Sequence, residues 1–142
     1  MSSLNHVGIT VSDIEESIRF YRDVVGMEEL SRSRDFGGEW FDRLTENQGT
    51  KFQVAHLGLG GFTLQLVEYQ SAGGDRLPLA HNQTGNPHIC INVDDVEGKY
   101  ADLEGSSVRR LPFTQHPTGT KSFYVLDPDG VMVEFLQRPA GQ

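Results

Sequence analysis

Hydrophobic and polar residues alternate at two places in the chain. One segment reads His-Val-Gly-Ile-Thr-Val from residue 6, and a matching segment reads His-Ile-Cys-Ile-Asn-Val from residue 88. Because successive side chains of a strand point to opposite faces, each segment predicts a strand with one apolar face. The other face is mixed and carries the histidine.

Each predicted strand is followed by a predicted helix. Ser12 and Asp94 are the predicted N-caps, and Glu15 and Glu97, three residues on, complete a capping box. Apolar residues then recur at helical spacing, and a glycine follows as the stop signal. The residues of these two patterns are Ile14, Ile18, Tyr21, Val25 and Gly26 in the first copy and Val96, Tyr100, Leu103 and Gly105 in the second.

A second pair of matching segments lies further along the chain. Residues 61–67 read Gly-Phe-Thr-Leu-Gln-Leu-Val and residues 130–136 read Gly-Val-Met-Val-Glu-Phe-Leu, an offset of 69 where the first pair has 82. The chain therefore carries an internal repeat whose second copy is shorter in its loops.

Three further strands complete each copy of the repeat. Their predicted ranges are 27–34, 51–58 and 62–69, then 107–113, 121–127 and 131–137. Residues 35–50 predict either a helical turn or a pocket-lining loop. The pattern is β-α-β-β-β twice, an α+β domain with module one at 1–72, a linker at 73–86 and module two at 87–142.

Charge and composition argue against nucleic acid and membranes as partners. The net charge of −8 disfavours nucleic acid, and no apolar stretch is long enough to cross a membrane. Cys90 is the only cysteine, so no internal disulfide is possible, and we interpret it as a small buried residue. The first residues lack the pattern of a secretion signal, and we expect a cytoplasmic protein.

Four polar residues occupy the mixed faces of the apolar strands. His6 and His88 begin the two copies, and Gln65 and Glu134 lie at matching positions near their ends. A buried amide or carboxylate without a partner is costly, by about 1–3 kcal/mol or more. Two interpretations remain open: ordinary hydrogen bonding within the core, or one divalent ion shared by all four. Such a donor set suits Fe, Co, Ni, Mn or Zn.

With these residues in place, the chain resembles the vicinal oxygen chelate superfamily, which includes glyoxalase I, methylmalonyl-CoA epimerase, extradiol dioxygenases and bleomycin resistance proteins. The resemblance implies paired βαβββ modules forming a half-open mixed-sheet barrel and a homodimer. It also implies that His6, Gln65, His88 and Glu134 hold one divalent metal ion, a set similar to that of the epimerases. The motifs that carry it begin at His6, Phe20, His88 and Asp127.

The resemblance implies a lyase or isomerase that chelates neighbouring oxygens of a small substrate. Glu134, as a ligand that can leave the metal, would then move the proton. Glu68 is the alternative base, although strand alternation puts Glu68 on the face opposite to Gln65. Two other functions stay open: an Fe(II) dioxygenase using His6, His88 and Glu134, and a binding protein without chemistry.

Four more residues are candidates for the wall of a substrate pocket. They are His56, Trp40, Tyr124 and Lys121. A structural role in the core or on the surface is the alternative for each of them.

Overall fold

The computed structural model describes residues 1–141. It divides into two compact units, Met1–Arg76 and Leu77–Gln142, and each is described by itself below. Within the described residues, no helix has the length and apolar character needed to cross a membrane.

The first unit is a four-stranded mixed sheet with one principal helix. The strand order is β1-β4-β3-β2, in which β1 runs parallel to β4 and the other neighbours are antiparallel. Its elements are β1 Val7–Thr10, α1 Ile14–Phe20, β2 Glu28–Gly37, α2 Glu39–Thr45, β3 Lys51–Leu59 and β4 Phe62–Ser71. A π-helical turn, Tyr21–Val25, continues α1 and ends at Gly26 in the left-handed conformation.

The second unit has the same order of principal helix and strands, with fewer residues between that helix and the last two strands. The strand order is β5-β8-β7-β6, with β5 parallel to β8. Its elements are β5 Ile89–Asn92, α3 Val96–Asp102, β6 Thr114–Gln115, β7 Lys121–Leu126 and β8 Met132–Gln137. The predicted α+β class and the repeated β-α-β-β-β order are confirmed.

The helix of each unit covers one face of its own sheet. In the first unit Ile14, Leu64 and Leu66 are completely buried, and in the second Val96 and Phe135 are. Burying a side chain of this size contributes roughly 1.5–3 kcal/mol. The opposite face of each sheet, which we call the open face, carries the side chains that alternate with these.

Strand residues also hold the start of each helix. Glu68 Oε2 accepts a hydrogen bond from the Ile14 backbone N–H at 2.7 Å, and Gln137 Oε1 accepts one from Val96 N–H at 3.1 Å. These side chains satisfy donors that a helix N-terminus otherwise leaves free. Glu68 therefore has a structural partner on the helix-covered face.

The N-caps lie one residue later than predicted. Asp13 and Asp95 are the caps, with side chains that accept from Glu16 N–H and Gly98 N–H, and the assignment of Ser12 and Asp94 was wrong. The reason is that sheet pairing runs on into the connection: Val11 N–H donates to Val67 O, and Val93 N–H to Leu136 O. Because of this extra paired residue, each helix begins one residue later.

The predicted strand at 107–113 was also wrong. The strand of this region is β6, two residues long, and upstream of it only Arg110 forms a bridge, with Val125. Pro112 has no N–H to donate and interrupts the pairing. The equivalent strand of the first unit, β2, is ten residues long.

The ambiguous stretch 35–50 contains a helix, α2. Its Asp42 closes the loop that follows, because the carboxylate accepts from the backbone N–H groups of Gly49 and Thr50 at 2.9 and 3.0 Å and from the Thr50 hydroxyl. These hydrogen bonds, those from Thr50 first, hold the pKa of Asp42 below its ordinary value.

Candidate metal centre

The open face of the first unit brings His6, His56 and Gln65 together. Gln65 on β4 lies opposite His56 on β3, and it pairs with Gly8 on β1, two residues after His6. Gln65 Nε2 lies 3.2 Å from His56 Nε2, and the rings of His6 and His56 meet edge to face with centroids 5.8 Å apart. Two of the predicted ligands of this half thus lie beside a predicted pocket residue.

The oxygen of the Gln65 amide points toward β1. A Cβ atom placed on Gly8 would lie 3.3 Å from Gln65 Oε1, so Gly8 leaves the room that this oxygen occupies. His6 Nδ1 lies 2.6 Å from the side-chain oxygen of Asn5. When Nδ1–H donates to Asn5, His6 Nε2 carries the lone pair that a metal ligand needs.

The open face of the second unit brings His88 and Glu134 together. His88 Nε2 lies 3.7 Å from Glu134 Oε2, and the Glu134 side chain is only 11% exposed. Glu134 pairs with Cys90 on β5 and lies opposite Tyr124 on β7. The rings of His88 and Tyr124 meet edge to face with centroids 5.5 Å apart.

Loss of solvent and the nearby carboxylate of Glu134 both raise the pKa of two neighbouring groups. Loss of solvent, followed by the charge of Glu134 and a hydrogen bond to it, raises the pKa of Cys90 from 9.0 to about 11. The same causes, in the same order, raise the pKa of Tyr124. Both groups stay protonated at neutral pH and donate to the carboxylate. The Cys90 residue as a whole is exposed, so the prediction of a buried cysteine was wrong, although its thiol has lost part of its solvent.

The two units match position by position on their open faces. Each has a histidine before its first strand and an amide or carboxylate on its last strand. Each also has a His or Tyr ring on the antiparallel strand beside that last strand. The matched pairs are His6 with His88, Gly8 with Cys90, His56 with Tyr124 and Gln65 with Glu134.

A further histidine lies beside the second group. The His81 ring is 5.5 Å from that of His88 and 5.6 Å from that of Tyr124. His81 falls in the predicted linker, 73–86, and it is exposed. No periodic pattern spans this Gly- and Pro-rich stretch, so the sequence offers no signal for the contact.

The other two predicted pocket residues lie elsewhere. Trp40 on α2 is exposed and packs its ring against those of Phe36 and Phe41. Lys121 Nζ forms an ion pair with Glu97 at 2.7 Å and lies on the helix-covered face, so it does not share a face with Tyr124. Their roles in a pocket stay predictions.

The donor chemistry of both units fits a borderline divalent ion. Of the four predicted ligands, each unit supplies one imidazole and one oxygen donor. Neither unit by itself, within residues 1–141, gathers three His, Cys, Asp or Glu side chains around one point. The fit rests on the nearly buried carboxylate of Glu134 and on the amide oxygen of Gln65, which points toward β1.

Comparison with known proteins identifies the family. A model described as the glyoxalase/bleomycin resistance protein/dioxygenase superfamily matches residues 3–135. The chain belongs to this superfamily. The predicted resemblance is thereby confirmed.

Two relatives within the superfamily have named activities. A 2-epi-5-epi-valiolone epimerase from Actinomyces sp. is 30% identical over 98% of this chain and 81% of its own. A lactoylglutathione lyase from Haemophilus influenzae is 31% identical over 93% of this chain and 90% of its own.

Solved structures share the fold. A glyoxalase family protein from Bacillus cereus superposes with a TM-score of 0.83 at 17% identity, covering 96% of this chain and 94% of its own. A fosfomycin resistance protein from Listeria monocytogenes, in complex with Mn(II) and sulfate, gives a TM-score of 0.68 at 19% identity over 99% and 95%.

Proposed function

We propose that this chain is a metal-dependent lyase or isomerase whose small substrate presents two neighbouring oxygens. The observation that carries the proposal is the match between the open faces: a histidine beside an amide oxygen in one unit and beside a buried carboxylate in the other. Relatives named as a lyase and as an epimerase support this class of reaction.

His6, Gln65, His88 and Glu134 would hold one divalent ion, of Fe, Co, Ni, Mn or Zn. When bound, the ion supplies Lewis-acid polarisation of the two substrate oxygens, which makes the neighbouring C–H more acidic. A Listeria relative in the same fold holds Mn(II), which supports an ion of this class.

Glu134 is the proposed general base. Its side chain is nearly buried, and a carboxylate with little water around it is suited to take a proton from carbon and return it. Tyr124 and Cys90 donate hydrogen bonds to Glu134 and so hold the orientation of its carboxylate. Glu68 is excluded from this role in our proposal because it is bonded to Ile14 N–H on the other face.

Metal analysis of purified variants tests the ligand assignment. We expect close to one divalent ion per site in the unaltered protein and a marked loss in His6→Ala and Glu134→Ala. His116→Ala is the matched control, because the His116 side chain is hydrogen-bonded to Ser122 at 3.0 Å and has no hydrogen bond, ion pair or ring contact with any of the four residues within the described part of the chain. Full metal content in both ligand variants would refute the assignment.

The reaction class is tested in heavy water. A lyase or isomerase exchanges the acidic C–H of its substrate for deuterium without consuming oxygen, and this exchange should be lost in Glu134→Gln. Strict dependence on oxygen would instead establish the Fe(II) dioxygenase. Absence of bound metal, with no metal-induced rise in melting temperature, would favour a protein that only binds its ligand.

A homodimer in the cytoplasm is the proposed state of the protein. Light scattering coupled to size-exclusion chromatography measures the mass directly against the 15.8 kDa of one chain. A mass of one chain at all concentrations would contradict the proposal.

A further inference from the structure

A glutamine ligand has an orientation problem that a glutamate does not have. One end of the amide is an oxygen that can bind a cation, and the other is an NH2 group that can only donate hydrogen bonds. Gln65 can therefore serve as a ligand only if something holds its NH2 group away from the metal. The proposed function leaves that residue unnamed.

His56 occupies the required position. It lies directly opposite Gln65 on the neighbouring strand, and its Nε2 is 3.2 Å from Gln65 Nε2. The amide oxygen of Gln65 then faces the other way, toward Gly8 on β1, the strand that His6 precedes. One hydrogen bond on the β3 side thus directs the oxygen to the β1 side.

Ser31 fixes the protonation of the His56 ring. An imidazole that accepts at Nε2 must carry its proton on Nδ1, and Ser31 Oγ lies 3.2 Å from His56 Nδ1, where it accepts that proton in a hydrogen bond. Ser31, His56 and Gln65 form a chain in which each donor has one acceptor. Such outer partners fix the orientation of the residues that bind a metal.

We propose that His56 is a positioning residue that selects the ligating orientation of the Gln65 amide. The second unit shows the complementary solution at the same register. There the ligand candidate is the carboxylate of Glu134, which needs a donor rather than an acceptor, and Tyr124 supplies one. Each half thus pairs its oxygen ligand with a ring of the matching hydrogen-bonding type.

The orientation itself is tested on the metal-free protein. Nitrogen-15 spectra of the imidazoles, recorded at about pH 8.5 where ordinary histidines are neutral, report which ring nitrogen carries the proton. We expect His56 to be protonated on Nδ1 and not on Nε2, and to lose part of this preference in Ser31→Ala. A proton on His56 Nε2 would overturn the proposal, since Gln65 would then present its NH2 group to β1.

The consequence for binding is tested by metal affinity. This part rests on the proposed function. We expect His56→Ala to weaken metal affinity by about 10- to 100-fold, the usual effect of losing such an outer partner. His56→Gln keeps an acceptor oxygen in reach of Gln65 and should restore part of the loss. His116→Ala again serves as the control and should leave affinity unchanged.

The two tests fail separately. If the unaltered protein binds no metal while His56 carries its proton on Nδ1, the proposed function is wrong and the orientation stands. If metal binds but His56→Ala and His116→Ala have equal affinity, the proposed function stands and the positioning role is refuted. Equal loss in His56→Ala and His56→Gln would also refute it, because a merely structural role would not recognise the acceptor.

Discussion

The bond from β4 to the start of α1 predicts an asymmetry between the two units. Ile14 is completely buried, so water has little access to its backbone N–H when Glu68 is removed. A hydrogen bond to a charged acceptor contributes about 1.5–3 kcal/mol, and a negative charge at a helix N-terminus about 0.3–1 kcal/mol more. We expect Glu68→Ala to lower the free energy of unfolding by about 2–3 kcal/mol.

The conservative exchanges separate charge from hydrogen bonding. Glu68→Gln keeps an acceptor and should cost about 1 kcal/mol, the difference between a charged and a neutral hydrogen bond. Gln137→Glu makes the opposite change at Val96 and should stabilise the second unit by about 0.3–1 kcal/mol. The two exchanges should thus shift stability in opposite directions.

Urea unfolding in the presence of a chelator measures these free energies without a contribution from bound metal. Trp40 is the only tryptophan of the chain and lies in the same unit as Glu68, so its fluorescence follows that unit. Far-UV circular dichroism follows both units.

A change below about 0.5 kcal/mol in Glu68→Ala would refute the role of this bond, since surface substitutions fall in that range. Folded Glu68→Gln should retain the exchange activity. Loss of that activity would instead make Glu68 the base.

Three further predictions follow from the same geometry. Gly37→Ala should destabilise the first unit strongly in the same urea assay, because its new Cβ would lie 2.1 Å from Thr50 O. An unchanged urea midpoint would contradict this. The folded state lowers the pKa of Asp42, so the stability that Asp42 contributes is present above about pH 4 and is lost as the pH falls through the lowered value. Asp42→Asn should therefore flatten the dependence of melting temperature on pH below 4. If the variant and the unaltered protein gave parallel plots of melting temperature against pH, the hydrogen bonds of Asp42 would not have this role. Gln65→Glu places a carboxylate against the acceptor nitrogen of His56, so its metal affinity should improve when His56→Tyr is added, and strictly additive effects would exclude the coupling.

Local patterns in the sequence predicted most elements of the fold. Strand alternation and helical spacing are properties of neighbouring residues, and they placed β1, α1, β3, β4, β7 and β8 within a few residues. The cap positions and β6 were predicted wrongly because they depend on hydrogen bonds to strands distant in sequence, such as Val11 to Val67. A pattern confined to one segment does not contain those bonds.

The partner of Gln65 was within reach of the sequence. Gly60 and Gly61 form a two-residue turn with positive φ at both positions, and such a turn fixes the register of the hairpin. Counting back from it pairs Leu59 with Phe62 and His56 with Gln65. The contact of His81 with His88 follows from no comparable rule.

Strand β4 is used from both faces, and this limits how the gene can change. Glu68 fixes the helix on one face and Gln65 is held on the other, so inserting or deleting a single codon between them would exchange the two faces. Length variation has to fall elsewhere. The offset between the copies is 82 at His6 and His88, 68 at His56 and Tyr124, and 69 at Gln65 and Glu134. Nearly all of the difference in length therefore lies upstream of β3 and β7, where the first copy carries α2.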